Sequence, residues 1–220
     1  MKTLQFLIII IAFLFLIISV SYTKVIAEST TSTYEISGEF YNYLDKKLYN
    51  HTYNIPYKIT NADLQKMYFD PVDYFLKITI KAKSNGVMEL ILPRQVLDSK
   101  IPANNEDYKY FVMIGDSEAK SVIQDSSECF RKLKFNFAKD DTEISIFAGN
   151  GLLGVESILT KGCPPLKQLR SDEITPQQIN CKIGYDKLLK YSNVMPICVK
   201  QASVTKLVKW GWAKPLESRL

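Results

Sequence analysis

Between Tyr34 and Gly149 apolar and polar residues alternate with a period of two, the pattern of strands that have one buried and one wet face. Tyr74, Leu76, Ile78 and Ile80 interleave with Phe75, Lys77, Thr79 and Lys81. Met88, Leu90 and Leu92 follow the triplet Ser84-Asn85-Gly86, whose Asn-Gly pair favours a tight hairpin. Tyr108, Tyr110, Val112 and Ile114 make a third inward row, ending at Gly115-Asp116. Leu133, Phe135 and Phe137 make a fourth, with Cys129 in phase on the same face, and a turn at Ala138 to Asp141 leads into Ile144, Ile146 and Ala148. Weaker strands are expected at Tyr34 to Phe40, Tyr53 to Thr60 and Leu64 to Phe69. Seven or eight short strands at this spacing predict a mainly β fold, an antiparallel Ig-like sandwich. Arg94 to Ser99 reads as a single helical turn, and no long helix alternates with the strands, which argues against a parallel α/β sheet.

From Cys163 the pattern changes. Pro164 to Asp172 reads as an extended linker. Thr175-Pro176-Gln177-Gln178 then has the form of a capping box with proline at the first helical position, so a short helical turn into Cys181 is expected. Leu188 to Tyr191 and Ile197 to Lys200 flank a turn at Asn193 and predict a small hairpin with Cys198 on its return strand. Ser203 is expected to cap a final helix in which Val204, Leu207 and Val208 share a face. Gly211, left-handed just past that helix, would let Trp212 fold back onto Leu207. Trp210 either packs on the hairpin or stands exposed as a binding residue; packing is favoured because so small a module has few other groups to bury. The C-terminal part is thus a small α+β unit.

The apolar run Phe6 to Ile18, behind the single basic residue Lys2, is read as a signal-peptide core with cleavage after Ala27, or as an uncleaved membrane anchor through residues 4–22. Either way the rest of the chain is expected to be extracytoplasmic, secreted or at the cell surface. The predicted organisation is a leader or anchor at 1–27, a β-sandwich at 28–163, and a linker with a two-cysteine module at 164–220. Charge divides at the same place. Residues 28–163 carry 16 Lys/Arg against 19 Asp/Glu, and residues 164–220 carry 10 against 4. Four cysteines in an exported chain favour disulfides. Of the three possible connectivities, Cys181 to Cys198 with Cys129 to Cys163 is preferred, because a closed loop of roughly 15 to 20 residues contributes about 3 kcal/mol to a small module.

Tyr53 to Asp98, with Y-x-I-x-Y-K-I-T-N and then D-Y-F-L-K-I-T-I-K-A-K-S-N-G-V-M-E-L-I-L-P-R-Q-V-L-D, resembles the exported β-rich domain recurrent in ammonia-oxidising archaea, several of which carry a PEFG-type sorting signal. Pro165 to Pro215, with P-L-K-Q-L-R-S-D-E-I-T-P-Q-Q-I-N-C-K-I-G-Y-D-K-L-L-K, P-I-C-V-K and K-L-V-K-W-G-W-A-K-P, resembles the small two-cysteine module that ends many exported proteins of that group. The final Leu-Glu-Ser-Arg-Leu is not PEFG-like, and the pair Cys129 and Cys163 is additional to the pattern. The resemblance implies an exported envelope protein and brings no catalytic residues.

One histidine restricts the chemistry. A blue-copper site needs two His with a Cys, and a Ser-His-Asp or Cys-His device would have to use His51, which has no nucleophile motif beside it. No C-x-x-C, H-E-x-x-H, P-loop or dinucleotide fingerprint occurs, and neither a metal nor another cofactor is expected. Asn50-His51-Thr52 has the form of a glycosylation acceptor at Asn50. The Asn104 to Asp107 loop, with Asp98 nearby, is the densest oxygen-rich stretch. It offers a calcium reading without the spacing of a calcium loop, and the carboxylates near Glu106 give the alternative of a hydrolase acting on an extracellular polymer. The favoured expectation is a non-catalytic structural or binding role. Trp210, Lys206, Lys209 and Lys214 are its candidate binding residues, facing an envelope protein, a glycan or an anionic surface, with no nucleic-acid partner.

Overall fold

The computed structural model describes residues 31–42, 47–70, 75–101, 104, 106–148, 162–170 and 174–215. The expected leader or anchor at 1–27 lies outside them, as does Tyr74. Among the described residues no helix is long and apolar enough to cross a membrane.

Ten antiparallel strands form a two-sheet sandwich, and a three-stranded sheet with short helices follows it, the mainly β architecture with a disulfide-stapled module that the pattern predicts. One sheet has the order β1 (Ser32–Asn42), β2 (Lys47–Ile59), β5 (Gly86–Pro93), β9 (Phe130–Phe137), β8 (Val122–Ser126). The other has the order β3 (Ala62–Asp70), β4 (Phe75–Ala82), β10 (Glu143–Ala148), β6 (Tyr110–Ile114), β7 (Ser117–Glu118). The predicted inward rows meet between the sheets: Leu76, Ile78 and Ile80 of β4, Met88, Leu90 and Leu92 of β5, Leu133 and Phe135 of β9, Ile144 and Ile146 of β10 are all buried. Burying each such side chain contributes about 1.5–3 kcal/mol, so the alternation in sequence is the main drive to this arrangement.

Four expectations about the sandwich are corrected. Its strands number ten among the described residues, because β7 and β8 are short and largely polar and leave no apolar row to read. Tyr108 is exposed, since β6 begins only at Tyr110. Cys129 is buried, but with Phe130, Ile174 and Ile179 in a second cluster, outside the intersheet core. The Asn85-Gly86 pair does not close a hairpin: β4 and β5 lie in different sheets, and residues 83–85 carry the chain across from one to the other. Glycine is required there for another reason. A Cβ on Gly86 would lie 2.2 Å from the Thr60 carbonyl, where the β2 to β3 crossing passes.

The C-terminal part is welded to the sandwich. β5 accompanies β2 only from Tyr57 to Ile59, so β2 from Lys47 to Pro56 has β1 on one edge and no strand of its sheet on the other. Asn180, 1% exposed, takes the place of the missing strand: its Oδ1 accepts from the Asn54 N–H at 2.6 Å and its Nδ2 donates to the Asn54 carbonyl at 2.8 Å. Gln168 repeats the device one layer out. Its Oε1 accepts from the Asn180 N–H at 2.9 Å, and its Nε2 donates to the carbonyls of Asn180 and Cys163, both at 2.6 Å. Gln178 Nε2 donates to Thr33 Oγ1 in β1, and Gln201 Nε2 donates to the Asn50 carbonyl. Buried Gln95, its amide assigned in the orientation its neighbours require, accepts from the Cys163 N–H and donates to the Cys181 carbonyl. Ile183 joins the main core, and the described residues form one compact unit.

The described part of the expected linker, Pro164 to Arg170, is therefore not extended, and Ser171 and Asp172 lie outside the described residues. Pro165–Leu169 is a short helix, α1, which holds buried Gln168 against Asn180 and Cys163. The turn Pro176–Gln178 forms as expected, with Gln178 Oε1 accepting from the Thr175 N–H at 2.9 Å. β11 (Tyr185–Lys190) pairs with β12 (Pro196–Lys200) and, on its other edge, with β13 (Ala213–Pro215). Both expected disulfides are present, Cys129–Cys163 and Cys181–Cys198, with Cα atoms 5.6 and 5.5 Å apart. The separations of 34 and 17 residues correspond to about 4 and 3 kcal/mol in the chain-entropy model. Helix α2 (Gln201–Lys209) begins two residues before Ser203, which is not its cap. The Gln201 N–H is satisfied instead by the Gly184 carbonyl at 3.2 Å.

Replacing Asn180 with Ala leaves a buried N–H and a buried carbonyl of Asn54 unpaired, at a cost of about 3 kcal/mol. Denaturant titration of the disulfide-intact protein measures this, and a loss below about 1 kcal/mol would show that the β2 edge does not depend on the side chain.

Candidate functional site

The end of α2 closes as its sequence dictates. Gly211 has φ +66°, its N–H donates to the Val208 carbonyl, and the Trp212 N–H donates to the Leu207 carbonyl at 3.1 Å, the complete Schellman pair. The tryptophan rings do not follow their backbone inward. Trp210 is 66% exposed, which corrects its expected packing, and Trp212, its backbone folded back to Leu207 as expected, keeps 49% of its surface exposed. The backbone closure turns the chain directly into β13, where Lys190 pairs with Ala213, and this leaves both rings at the rim.

The same pairing brings a second exposed group beside them. The Tyr191 N–H donates to the Trp212 carbonyl at 3.1 Å, so the β11–β12 turn abuts the end of the helix, and Tyr191 and Val194 stand 58% and 56% exposed there. Val194 has φ +56°, a conformation costly for a β-branched side chain by about 1–3 kcal/mol. Lysines cover the rings: Lys206 Nζ lies 4.5 Å from the Trp210 centroid and Lys190 Nζ 5.4 Å from that of Trp212. Of the predicted binding residues, Trp210 and Lys206 are in contact, Lys209 is exposed on the same helix, and Lys214 sits on β13 opposite Leu189. Sequence reasoning missed Tyr191 and Val194. The one available signal was two apolar residues in a turn where polar ones are usual.

The loop near Glu106 is built differently. A groove of about 840 Å³ runs past Arg94, Asp98, Glu106, Asp107, Glu128 and the Cys129–Cys163 bridge. Its two aspartates are engaged by cations. Arg94 Nη1 donates to Asp98 at 2.8 Å and Arg94 Nη2 to Asp107 at 2.6 Å, Lys100 reaches Asp107 at 2.6 Å, and buried Arg131 lies 3.4 Å from Asp98. The bonded Arg94 guanidinium holds the Asp107 carboxyl well below the usual carboxylate range, against the opposing effect of burial. Asp107 therefore stays ionised at any ordinary pH. Glu128 pairs with Lys167 of α1, and the Asn104 side chain accepts from the Glu106 N–H. The network ties the long β5–β6 connection to β9 through Arg131, whose Nη2 donates to the Tyr108 carbonyl at 2.6 Å. Among the described residues no three His, Cys, Asp or Glu side chains are placed to share a metal ion.

Asn50 is exposed within β2, with the neighbouring Thr52 hydroxyl bonded to Ser37 at 2.7 Å. His51 is distant from the cysteines in sequence but buried beside one in space. Its Nε2 is without a partner, and burial pulls its pKa below 6.5 against the favourable influences of the Cys181 backbone and of Asp186. Burial also pulls Lys187 down to about 8, opposed by the Glu35 carboxylate. Its ammonium donates to the carbonyls of Gln177 and Ile179.

Comparison with protein families, with characterised proteins and with solved structures finds no match to the chain.

The two shifted groups give stability a defined pH dependence. As pH falls below 6.5 the unfolded chain takes up the His51 proton before the folded one does, so stability falls there. Between about 8 and 10.5 the folded chain has released the Lys187 proton while the unfolded chain keeps it, so stability rises with pH. Denaturant midpoints from pH 5 to 10 are expected to follow both limbs, and His51→Gln to flatten the lower one. A lower limb that survives His51→Gln would assign it to other groups.

Proposed function

We propose that the chain is an exported cell-envelope protein with a structural or binding role, in which the sandwich supports a basic C-terminal end that docks onto an envelope partner or anionic surface. The observation that carries this reading is the exposed cluster of Trp210, Trp212, Tyr191 and Val194, set among lysines on a unit fixed to the sandwich by buried amides. An end built only for solubility has no use for two exposed tryptophans and a strained valine. Two disulfides suit an oxidising, extracytoplasmic setting. The apolar run Phe6 to Ile18 supports export by a signal peptide or an uncleaved anchor, and the resemblance to archaeal envelope proteins supports the same location.

The alternative, a polymer hydrolase acting through the loop near Glu106, needs a carboxyl that keeps its proton to serve as general acid. Asp107, driven the opposite way by Arg94, is unsuited to that part, and the non-catalytic reading is preferred.

Purified disulfide-intact protein is expected to sediment with isolated envelopes of the producing organism. The triple variant Lys206→Glu, Lys209→Glu, Lys214→Glu is expected to stay in the supernatant. Equal sedimentation of the two proteins contradicts the reading.

A further inference from the structure

The occupant of the basic end can be narrowed from its chemistry. From Lys187 to Pro215 the chain carries six lysines and no Asp or Glu. Lys187 is turned toward the carbonyls of Gln177 and Ile179, and the other five belong to the hairpin, α2 and β13. The stretch is thus of one sign, and its complement is an anion. It is also apolar at the tip: the turn offers Tyr191 and Val194, and the end of α2 offers both tryptophans of the chain.

This pairing of indole and phenol rings with long cationic side chains is what a bilayer interface selects. Trp and Tyr place an apolar body among acyl chains and a polar edge among headgroups, while Lys reaches back to phosphate. Lys206 over Trp210 and Lys190 over Trp212 hold that geometry in advance.

We propose that the β11–β12 turn and the C-terminal end of α2 form a foot that rests on an anionic phospholipid surface, with Trp210, Trp212 and Tyr191 at headgroup depth and Lys206 and Lys209 on lipid phosphates. The proposal rests on the reading of this end as a docking surface and names what it docks to.

Because Trp210 and Trp212 are the only tryptophans in the sequence, intrinsic fluorescence reports on the foot directly. The full-length disulfide-intact protein is titrated with vesicles of phosphatidylcholine alone and of phosphatidylcholine with an equal part of phosphatidylglycerol. A blue shift with the anionic vesicles, absent with the neutral ones and reversed by high salt, is expected. Lys206→Gln and Lys209→Gln should each weaken the partition about fivefold, and Trp210→Ala about tenfold by sedimentation. Trp210 is exposed, so its variant keeps the fold, which circular dichroism verifies. Absence of a shift with anionic vesicles, or binding indifferent to all three substitutions, overturns the proposal. Binding of the polyanion polygalacturonate without vesicle binding overturns the lipid assignment and leaves the docking surface standing. Failure on vesicles, polyanion and isolated envelopes alike removes both.

Discussion

A strand with one edge bare must find partners for its backbone elsewhere, and β2, flanked by β5 only from Tyr57 to Ile59, does so at Asn54. The chain meets this with side-chain amides, since Asn180 gives Asn54 the N–H acceptor and the carbonyl donor that a neighbouring strand would have given. Gln168 then does the same for the backbone of Asn180. Each bond contributes only about 1 kcal/mol net, but each buried group left unpaired would cost about 1–3 kcal/mol, so the joint is specific to this one arrangement. The short helix at Pro165–Leu169, the capped turn at Pro176–Gln178 and the Cys129–Cys163 bridge all serve to hold those two amides in place.

That joint explains how a unit of about fifty residues can expose so much. A free module of this size would need its tryptophans for its own core. Here Ile183 is buried in the sandwich core and Ile179 packs with Cys129 and Phe130, so the sandwich supplies the apolar environment. The rings are released to the surface, where lysines shield them. The groove by Glu106 shows the opposite use of charge: Arg94 and Arg131 spend the aspartates on fixing a long connection, and the pull on Asp107 is toward permanent ionisation.

Rows of apolar residues such as Leu76-Ile78-Ile80 and Leu133-Phe135 were legible because the period of a strand is local and burial is its cause. The Gly211 closure was legible for the same reason, since all its bonds lie within six residues. The disulfide pairing followed from loop length and compartment. The amide joint was not legible: Asn54 and Asn180 are 126 positions apart, and in sequence a buried Asn looks like any turn residue. The exposure of Trp210 was misjudged through the same gap, because whether a ring is needed inside depends on what the rest of the chain has already brought there.

Native-state hydrogen exchange at the Asn54 and Asn180 amides, in the oxidised protein, bears most directly on the welded joint. Both N–H groups should exchange no faster than those of Leu90 and Leu133 in the sandwich core, through global unfolding alone. Rapid exchange of these two amides, with the core strands still protected, would mean that the C-terminal unit opens from the sandwich on its own and would contradict the account.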